Sequence, residues 1–214
     1  METLDSVPPG DLTLRLAALL HDVGKPRTKD GPHFYRHELV GAELSEAIGA
    51  RLRFPQEVTA DVARLVEHHM YAADPRQEAR TLRRFIRRIG PDLLERQFAL
   101  RAADIRGSGL PKRGPENELF ETRVRAVLEE RPALSVRDLK LSGDDVIAEL
   151  VARGRLPKGS RGGREVGILL GKLLEHVTDD PASNDRSKLL TELALLVDAS
   201  GGDGDVSRET KARR

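Results

Sequence analysis

The sequence predicts an all-α fold, with a helical bundle followed by a smaller helical segment. Apolar residues recur at three- and four-residue spacing along most of the chain, which is the pattern of amphipathic helices. Aromatic residues make up only 3% of the chain and Trp is absent, so we expect a core of Leu, Val, Ala and Ile. No segment shows the strict alternation of apolar and polar residues that is typical of a strand.

The composition limits the classes of function. The chain carries 36 Lys and Arg against 35 Asp and Glu, so its net charge of +1 argues neither for nor against a nucleic-acid partner. Because there is no Cys, a metal ion would be held by His nitrogens and carboxylate oxygens. No apolar stretch approaches the roughly 20 residues of a membrane span, and METLDSVPPG lacks the features of a signal peptide. We expect a cytoplasmic protein with no membrane partner.

The first predicted helix runs from Leu12 to Val23. Gly24 and Pro26 end its apolar pattern. His21 and Asp22 then lie in its last turn, inside the run LAALLHDVGKPRT. Burying either group unpaired would cost several kcal/mol, so both need a partner. A C-cap interaction with the helix dipole is one such partner, and a metal ion is another.

Two further helices are predicted beyond the loop KDGPHFYRH. One covers Val40 to Leu52, with His37 at its start. The other covers Gln56 to Met70, with His68 and His69 in its last turn. These histidines therefore also lie at helix ends beside a loop.

A short helix from Ala79 to Gly90 carries paired arginines between its apolar positions, which predicts a basic outer face. This density of guanidinium groups suits contacts with phosphate or RNA backbone. A solvated face paired with nearby carboxylates explains the pattern equally well, and the sequence leaves both interpretations open. The candidate phosphate-binding or RNA-binding residues are Arg80, Arg83, Arg84, Arg87 and Arg88.

The rest of the chain continues as helices. One ends near Ile105, just after Asp104, and another covers Glu116 to Glu130. Beyond Pro132 the composition shifts, and SGDD is an N-cap signal for the next helix. The last helices are predicted after Ser142, at Val166 to Val177 and at Ser187 to Val197. We expect a first domain at residues 12–131, a C-terminal helical region at 132–198, and disordered ends at 1–11 and 199–214.

Histidines and aspartates cluster at the predicted helix ends. Of the six histidines, five lie between residues 21 and 69, and Asp22 and Asp104 also lie at helix C-termini. Facing helices of a bundle commonly build metal sites from such residues. Imidazole with carboxylate suits Mn, Fe, Co, Ni or Zn, and also Mg where carboxylate and water dominate. The sequence therefore predicts a divalent metal ion as the cofactor.

The order of the motifs resembles a known family. LLHDVGKP, HFYRHELVGAE, LVEHHM and LRAAD follow one another as in the HD superfamily of metal-dependent phosphohydrolases. Within that superfamily the chain is most similar to the HD and C-terminal regions of bacterial tRNA nucleotidyltransferases, the CCA-adding enzymes and their poly(A) polymerase relatives. FIRRIGPDLLERQFALRAADIRGSG, LSVRDLKLSGDDVI and VGILLGKLLEHVTDDPASNDRSKLL extend this likeness, which covers about residues 12 to 195. The resemblance implies an HD-type helical bundle for the first domain.

The resemblance also implies roles for single residues. His21 and Asp22 match the paired metal ligands, and Asp104 matches the distal aspartate ligand, although a carboxylate there could simply cap a loop. Lys25 matches the lysine of the HDxGK turn, where a cation can contact phosphate oxygens. Asp22 and Lys25 are therefore the predicted catalytic residues.

The other histidines match the family less uniformly. His37 and His69, and less closely His68, match histidines that some members use for a second metal or for substrate phosphate. His69 lies on an apolar stripe and could instead be a hydrogen-bonded core histidine, whereas His68 could be a surface residue. His33 and His176 match no motif.

The function implied by the resemblance is metal-dependent hydrolysis of a nucleotide or RNA-end phosphoester. The alternative is a noncatalytic module that binds tRNA, another RNA or a partner such as a separately encoded nucleotidyltransferase. Two departures from the family bear on this choice. The earlier histidine ligand of the superfamily has no counterpart before His21, and the nucleotidyltransferase head is absent, so we do not expect CCA addition by this chain alone.

Overall fold

A computed structural model of the chain describes residues 2–108 and 115–201. The chain divides into two compact units, Met1–Glu129 and Glu130–Arg214. Most of the described residues are helical, which confirms the predicted all-α fold. Among them, no helix is long and apolar enough to cross a membrane.

The first unit is a bundle whose core is formed by buried Leu, Val, Ile and Ala side chains and four aromatic rings. A 3₁₀ turn at Pro91–Leu93 leads directly into the helix Leu94–Gly107. The helices are α1 (Glu2–Asp5), α2 (Leu12–Leu20), α3 (Lys25–Thr28), α4 (His37–Leu52), α5 (Gln56–Glu67), α6 (Ala79–Ile89), α7 (Leu94–Gly107) and α8 (Glu116–Glu129).

A small antiparallel ribbon interrupts the helices between α3 and α4. Its strands are β1 (Lys29–Asp30) and β2 (His33–Phe34), with Lys29 opposite Phe34. Gly31 adopts φ +55°, a left-handed conformation that favours glycine and lets the chain reverse here. The sequence predicted this stretch as a loop and contained no strand pattern, because two-residue strands are too short to show alternation.

Helix α1 corrects the prediction that residues 1–11 are disordered. Glu2–Asp5 is helical, Val7 is buried, and the Arg106 guanidinium donates to the Ser6 carbonyl across 3.0 Å. These contacts join the N-terminus to the end of α7, 100 residues away. A local sequence pattern carries no information about such a contact.

Helices α2 and α5 end earlier than predicted, and α7 ends later. Helix α2 ends at Leu20, so His21 is its C-cap and Asp22 lies in the following turn. Helix α5 ends at Glu67, which leaves His69 beyond its C-cap. Helix α7 continues to Gly107, so that Asp104 lies within its last turn.

The close packing of α3 against α4 sets the position of the turn at residues 21–24. A Cβ atom on Gly24 would lie 2.1 Å from the His37 carbonyl oxygen and 2.7 Å from the Gly41 nitrogen. A Cβ atom on Gly41 would lie 3.0 Å from Val66 Cγ1. The two glycines therefore allow the end of α2 to approach the start of α4 and the end of α5.

In residues 130–201, the second unit packs three helices around its own apolar core, which includes Val146, Leu150, Leu173 and Leu189. Its helices are α9 (Gly143–Ala152), α10 (Arg164–Asp179) and α11 (Arg186–Gly201), with 3₁₀ turns at Val136–Asp138 and Pro181–Ser183. Ser142 forms the predicted N-cap of α9, in a capping box with Asp145. Residues 199–201, predicted to be disordered, belong to α11, and the rest of the predicted tail lies outside the described residues.

Candidate metal centre

Five of the predicted site residues meet at one end of the first unit. His21 and Asp22 follow α2, His37 is the first residue of α4, His69 follows α5, and Asp104 lies in the last turn of α7. The three histidines are buried, whereas Asp22 is partly exposed. Helix ends that are distant in the sequence therefore form one polar cluster.

Asp22 is the centre of this cluster. Its Oδ1 atom lies 3.5 Å from His37 Nε2 and 3.9 Å from His69 Nε2. Its Oδ2 atom lies 3.4 Å from His21 Nε2 and 2.6 Å from Lys25 Nζ. Each carboxylate oxygen thus faces a different pair of nitrogens.

His21 joins Asp22 to Asp104. Its Nε2 atom lies 3.5 Å from Asp104 Oδ1, in addition to its contact with Asp22. Burial lowers the pKa of His21, but the hydrogen bonds to Asp104 and Asp22 outweigh burial and raise the pKa to about 10. His21 therefore carries a proton at neutral pH in the metal-free protein.

Both carboxyl groups remain charged near neutrality. Burial raises the pKa of Asp22, but the hydrogen bonds from His21 and Lys25 outweigh it and hold this pKa well below its usual range. The hydrogen bond from His21 likewise lowers the pKa of Asp104. The cluster thus offers two carboxylates as ligands for a cation.

The backbone fixes the orientation of all three imidazoles. In each ring Nδ1 donates to the carbonyl of the residue three positions earlier in the chain. Because a carbonyl only accepts, the hydrogen lies on Nδ1, and Nε2 points toward Asp22. The pairs are His21 with Ala18 (2.9 Å), His37 with Phe34 (2.9 Å) and His69 with Val66 (2.6 Å).

This orientation turns two ring nitrogens toward each other. His37 Nε2 and His69 Nε2 are 3.2 Å apart. Burial lowers the pKa of His69 to about 4, so this ring is neutral at pH 7 and its Nε2 presents a lone pair. A cation near Asp22 could therefore be bound by His69 Nε2.

The donor set fits a divalent metal ion. Asp22, His37 and His69 each offer one ligand atom, and these atoms all lie within 4.8 Å of one another. Three imidazole and carboxylate donors with further positions open are typical of catalytic metal sites in proteins. His21 and Asp104 lie directly beside this triad.

A cavity of about 360 Å³ adjoins the cluster. Asp22, Lys25 and Asp104 line it. Thr3 and Leu4 of α1 also line it, a contribution of the N-terminus that no sequence pattern predicted. The cavity thus combines charged groups with a wall supplied by α1.

Gly107→Ala is expected to displace α1 from this wall. A Cβ atom at residue 107 would lie 2.2 Å from Thr3 Oγ1 and 2.8 Å from the Thr3 nitrogen. We expect faster amide hydrogen exchange in residues 2–7, with little change in the unfolding midpoint, because α1 is a short peripheral element. Gly10→Ala is the control, since its Cβ would meet no atom within 4 Å. Equal protection in both variants would contradict the role of Gly107.

His68 does not join the cluster, and we do not retain it as a candidate ligand. It is the C-cap of α5 and lines a different cavity, of about 540 Å³, together with Arg64 and Arg88. Burial lowers the pKa of this histidine. The change of direction between His68 and His69 arises because the chain leaves α5 at this point.

The arginines of α6 do not form the single basic outer face that the sequence predicted. Arg83 is buried, because it lies beside Leu82 on the inner side of the helix. Arg80, Arg84 and Arg88 are exposed at four-residue spacing, and Arg87 is partly buried. Arg80 pairs with Glu78 at 2.7 Å. The exposed arginines of α6 therefore form a narrower basic stripe than the five-residue face that the sequence predicted.

Arg101 is a neighbour of the cluster that the sequence reasoning missed. Its Nη1 atom lies 3.7 Å from Asp104 Oδ2, and its guanidinium carbon lies 5.6 Å from the centre of the Tyr71 ring. It precedes Asp104 by three residues in LRAAD, and residues at this spacing on a helix are neighbours, so the sequence could have predicted the contact. Arg101 thus contacts Oδ2 of Asp104, whereas His21 contacts Oδ1.

Residues 6–106 form a helical bundle that brings the candidate metal donors together at its helix ends. The same residues, slightly less than half of the chain, match the family model of the HD domain. HD domains form a superfamily of metal-dependent hydrolases.

The chain is homologous to tRNA nucleotidyltransferases. It is 41% identical to the CC-adding tRNA nucleotidyltransferase of Thermus thermophilus in a 174-residue alignment that covers 78% of this chain and 36% of that protein. It is 38% identical to the A-adding tRNA nucleotidyltransferase of Deinococcus radiodurans in a 185-residue alignment that covers 78% of this chain and 38% of that protein. A shorter match, 44% over 57 residues, covers 27% of this chain and 5% of the bifunctional uridylyltransferase/uridylyl-removing enzyme of Rhodospirillum rubrum. The chain therefore spans little more than a third of the length of the first two relatives.

Proposed function

We propose that the protein is a metal-dependent phosphohydrolase that acts on a nucleotide or RNA-end phosphoester. The observation that carries this proposal is the pair of Nε2 atoms of His37 and His69, 3.2 Å apart and both turned toward Asp22 Oδ1. The arrangement brings two imidazole nitrogens and one carboxylate oxygen within 4.8 Å of one another, and a divalent cation would bind all three.

A bound divalent ion would lower the pKa of a water molecule and polarise a phosphoryl oxygen. The residues of the chain supply the rest of the site. Lys25 lines the cavity with its Nζ 2.6 Å from Asp22 Oδ2, so its charge can offset negative charge on a phosphoryl group. His21 Nε2 lies 3.4 Å from Asp22 Oδ2 and 3.5 Å from Asp104 Oδ1 and thereby helps to hold both carboxylates in place.

The cavity supports a small phosphoester as the substrate. Its volume of about 360 Å³ lies within the usual range for small-molecule sites. Its lining includes the apolar side chains of Leu4 and Leu19 and the hydroxyl groups of Thr3 and Ser108. The names of the relatives refer to tRNA and to removal of a uridylyl group, and both point to nucleotide chemistry.

Elemental analysis and hydrolysis assays test this proposal together. We expect the purified protein to carry a divalent transition metal, and to hydrolyse a 2′,3′-cyclic nucleotide in Mn²⁺, Co²⁺ or Ni²⁺ but not in EDTA. We expect added metal to raise the melting temperature, since it binds the folded state. A metal-free protein whose melting temperature does not respond to any of these ions would contradict the proposal.

A noncatalytic RNA-binding module is the second candidate. The observation in its favour is that the likeness to tRNA nucleotidyltransferases covers 78% of the chain, more than the HD domain at residues 6–106. This candidate predicts salt-dependent tRNA binding without turnover, weakened by joint replacement of Arg80, Arg84 and Arg88. A separately encoded nucleotidyltransferase is the protein partner to test by co-purification.

A further inference from the structure

A second cavity of the first unit, of about 430 Å³, has Arg101 in its wall, and we call it the Arg101 cavity. Residues 72–76 line one part of it, and Arg101, Glu116 and Asn117 line the rest. Among the described residues, none lines both this cavity and the cavity of about 360 Å³ beside the metal donors. The first unit therefore contains a second space whose volume is usual for a small-molecule site.

The guanidinium of Arg101 is mostly buried and incompletely paired. The side chain is 15% exposed, and its Nε atom is buried with no hydrogen-bond partner among the described residues. Its Nη1 atom lies 3.7 Å from Asp104 Oδ2, which exceeds the length of a hydrogen bond. A buried cation with unsatisfied N–H groups is destabilised, because it has lost contacts with water. An anion supplied by a ligand would provide further acceptors for this guanidinium.

The ring of Tyr71 supports the guanidinium without accepting its hydrogen bonds. The guanidinium carbon lies 5.6 Å from the centre of this buried ring. The ring in turn packs against Phe85 and Phe120, with centroids 5.0 Å and 5.7 Å away. Because a guanidinium that contacts a ring face keeps N–H groups for acceptors at its edge, Arg101 is both held in place and able to bind a ligand.

The wall at residues 72–76 is held by hydrogen bonds to its carbonyl groups. Arg123 Nη1 donates to the Pro75 carbonyl, and also to the Gln77 carbonyl at 2.7 Å. Gln77 Nε2 donates to the Ala72 carbonyl at 3.1 Å. The segment therefore has a defined conformation before any ligand binds, which lowers the entropic cost of binding.

The acidic groups that line the Arg101 cavity act on Arg76. Arg76 donates two hydrogen bonds to the Asp74 carboxylate, at 2.9 Å and 3.0 Å. The hydrogen bond to Asp74 and, to a smaller degree, the charge of Glu116 raise the pKa of Arg76. Arg76 is thus already paired, and Arg101 is the other cation of the described lining.

We propose that the Arg101 cavity is a phosphate-binding subsite, in which the Arg101 guanidinium donates hydrogen bonds to a phosphate group of a nucleotide or RNA. The planar donors of arginine match the oxygens of a phosphate group. The cavity exceeds the size of a phosphate group alone, so it has room for an attached sugar. This inference goes beyond the proposed hydrolase, because binding at Arg101 requires neither a metal ion nor turnover.

An NMR titration with inorganic phosphate in EDTA tests the subsite. We expect saturable shifts of the backbone amide signals of Ala72, Ala73 and Arg101. These shifts should persist in Lys25→Gln, because Lys25 lines the other cavity. Absence of saturable shifts at these three residues, or their loss in Lys25→Gln, would overturn the inference.

Nucleotide ligands distinguish the sources of the phosphate group. AMP should cause the same shifts as phosphate, and adenosine, which lacks the phosphate, should not. Tighter binding of AMP than of the dinucleotide pApA would assign the subsite to a free nucleotide, and the reverse order would assign it to an RNA end. Equal shifts with adenosine and AMP would overturn the proposal that a phosphate group is recognised.

Substitutions of the two lining arginines separate a specific site from general attraction by positive charge. We expect Arg101→Gln to weaken phosphate binding about tenfold or more, the effect of losing charged hydrogen bonds. Arg76→Gln is the matched control and should change the affinity little, because Arg76 is exposed and paired with Asp74. Equal losses in the two variants would overturn the inference. If Arg101→Gln does not fold, Arg101→Lys decides the question, since it keeps the charge but not the planar donors: weaker phosphate binding supports the subsite, and an unchanged affinity overturns it.

Discussion

Asp22→Asn is expected to abolish metal retention and hydrolysis while leaving the fold intact. The change keeps the shape of the side chain but removes the charge that faces the nitrogens of His37 and His69 on one side and Lys25 on the other. Changes to residues that merely support metal ligands cost 10- to 100-fold in affinity, so loss of the central ligand should cost at least about 100-fold.

Metal titration, elemental analysis and circular dichroism measure this outcome. Helical content should be unchanged, because Asp22 is partly exposed and lies in a turn between α2 and α3. Asp92→Asn, an exposed aspartate on the 3₁₀ turn before α7, is the matched control and should retain metal and activity. An Asp22→Asn protein that keeps its metal and turnover would show that Asp22 is not the central ligand.

The ligand types were predictable from the sequence, but the way in which the ligands meet was not. His21, Asp22, His37, His69 and Asp104 belong to ordered motifs at predicted helix ends, and the structure brings all five together. Periodicity reports which residues face the core, but not which ring nitrogen faces which oxygen. Those details follow from hydrogen bonds between side chains and backbone carbonyls.

The incorrect predictions have physical causes of the same kind. Arg83 and Arg84 are adjacent in the sequence, but Arg83 is buried and Arg84 is exposed, because the core of the unit packs against the Arg83 side of the helix. Helix α1 is held by contacts with Arg106 and Gly107 at the far end of the unit. In both cases tertiary packing decides a feature on which the local pattern is silent.

Gly24 shows this distinction most clearly, because the sequence assigned it only the role of ending α2. Its backbone angles, φ −76° and ψ −21°, are open to any residue, so the torsions do not require glycine. Space requires it, since an added Cβ would lie 2.1 Å from the His37 carbonyl oxygen. The neighbouring atoms are backbone, which cannot move aside as a flexible side chain can.

Gly24→Ala is therefore expected to lower the free energy of unfolding by about 3 kcal/mol or more, since overpacking against backbone lies at the severe end of such substitutions. It should also move Asp22 away from His37 and His69, so metal affinity should fall even at temperatures where the variant is folded. Chemical denaturation and metal titration measure the two effects. Gly10→Ala, with no atom within 4 Å of its Cβ, should be neutral or slightly stabilising. Equal stability and equal metal affinity in the two variants would contradict the prediction that the metal donors meet because Gly24 packs closely against the backbone of His37.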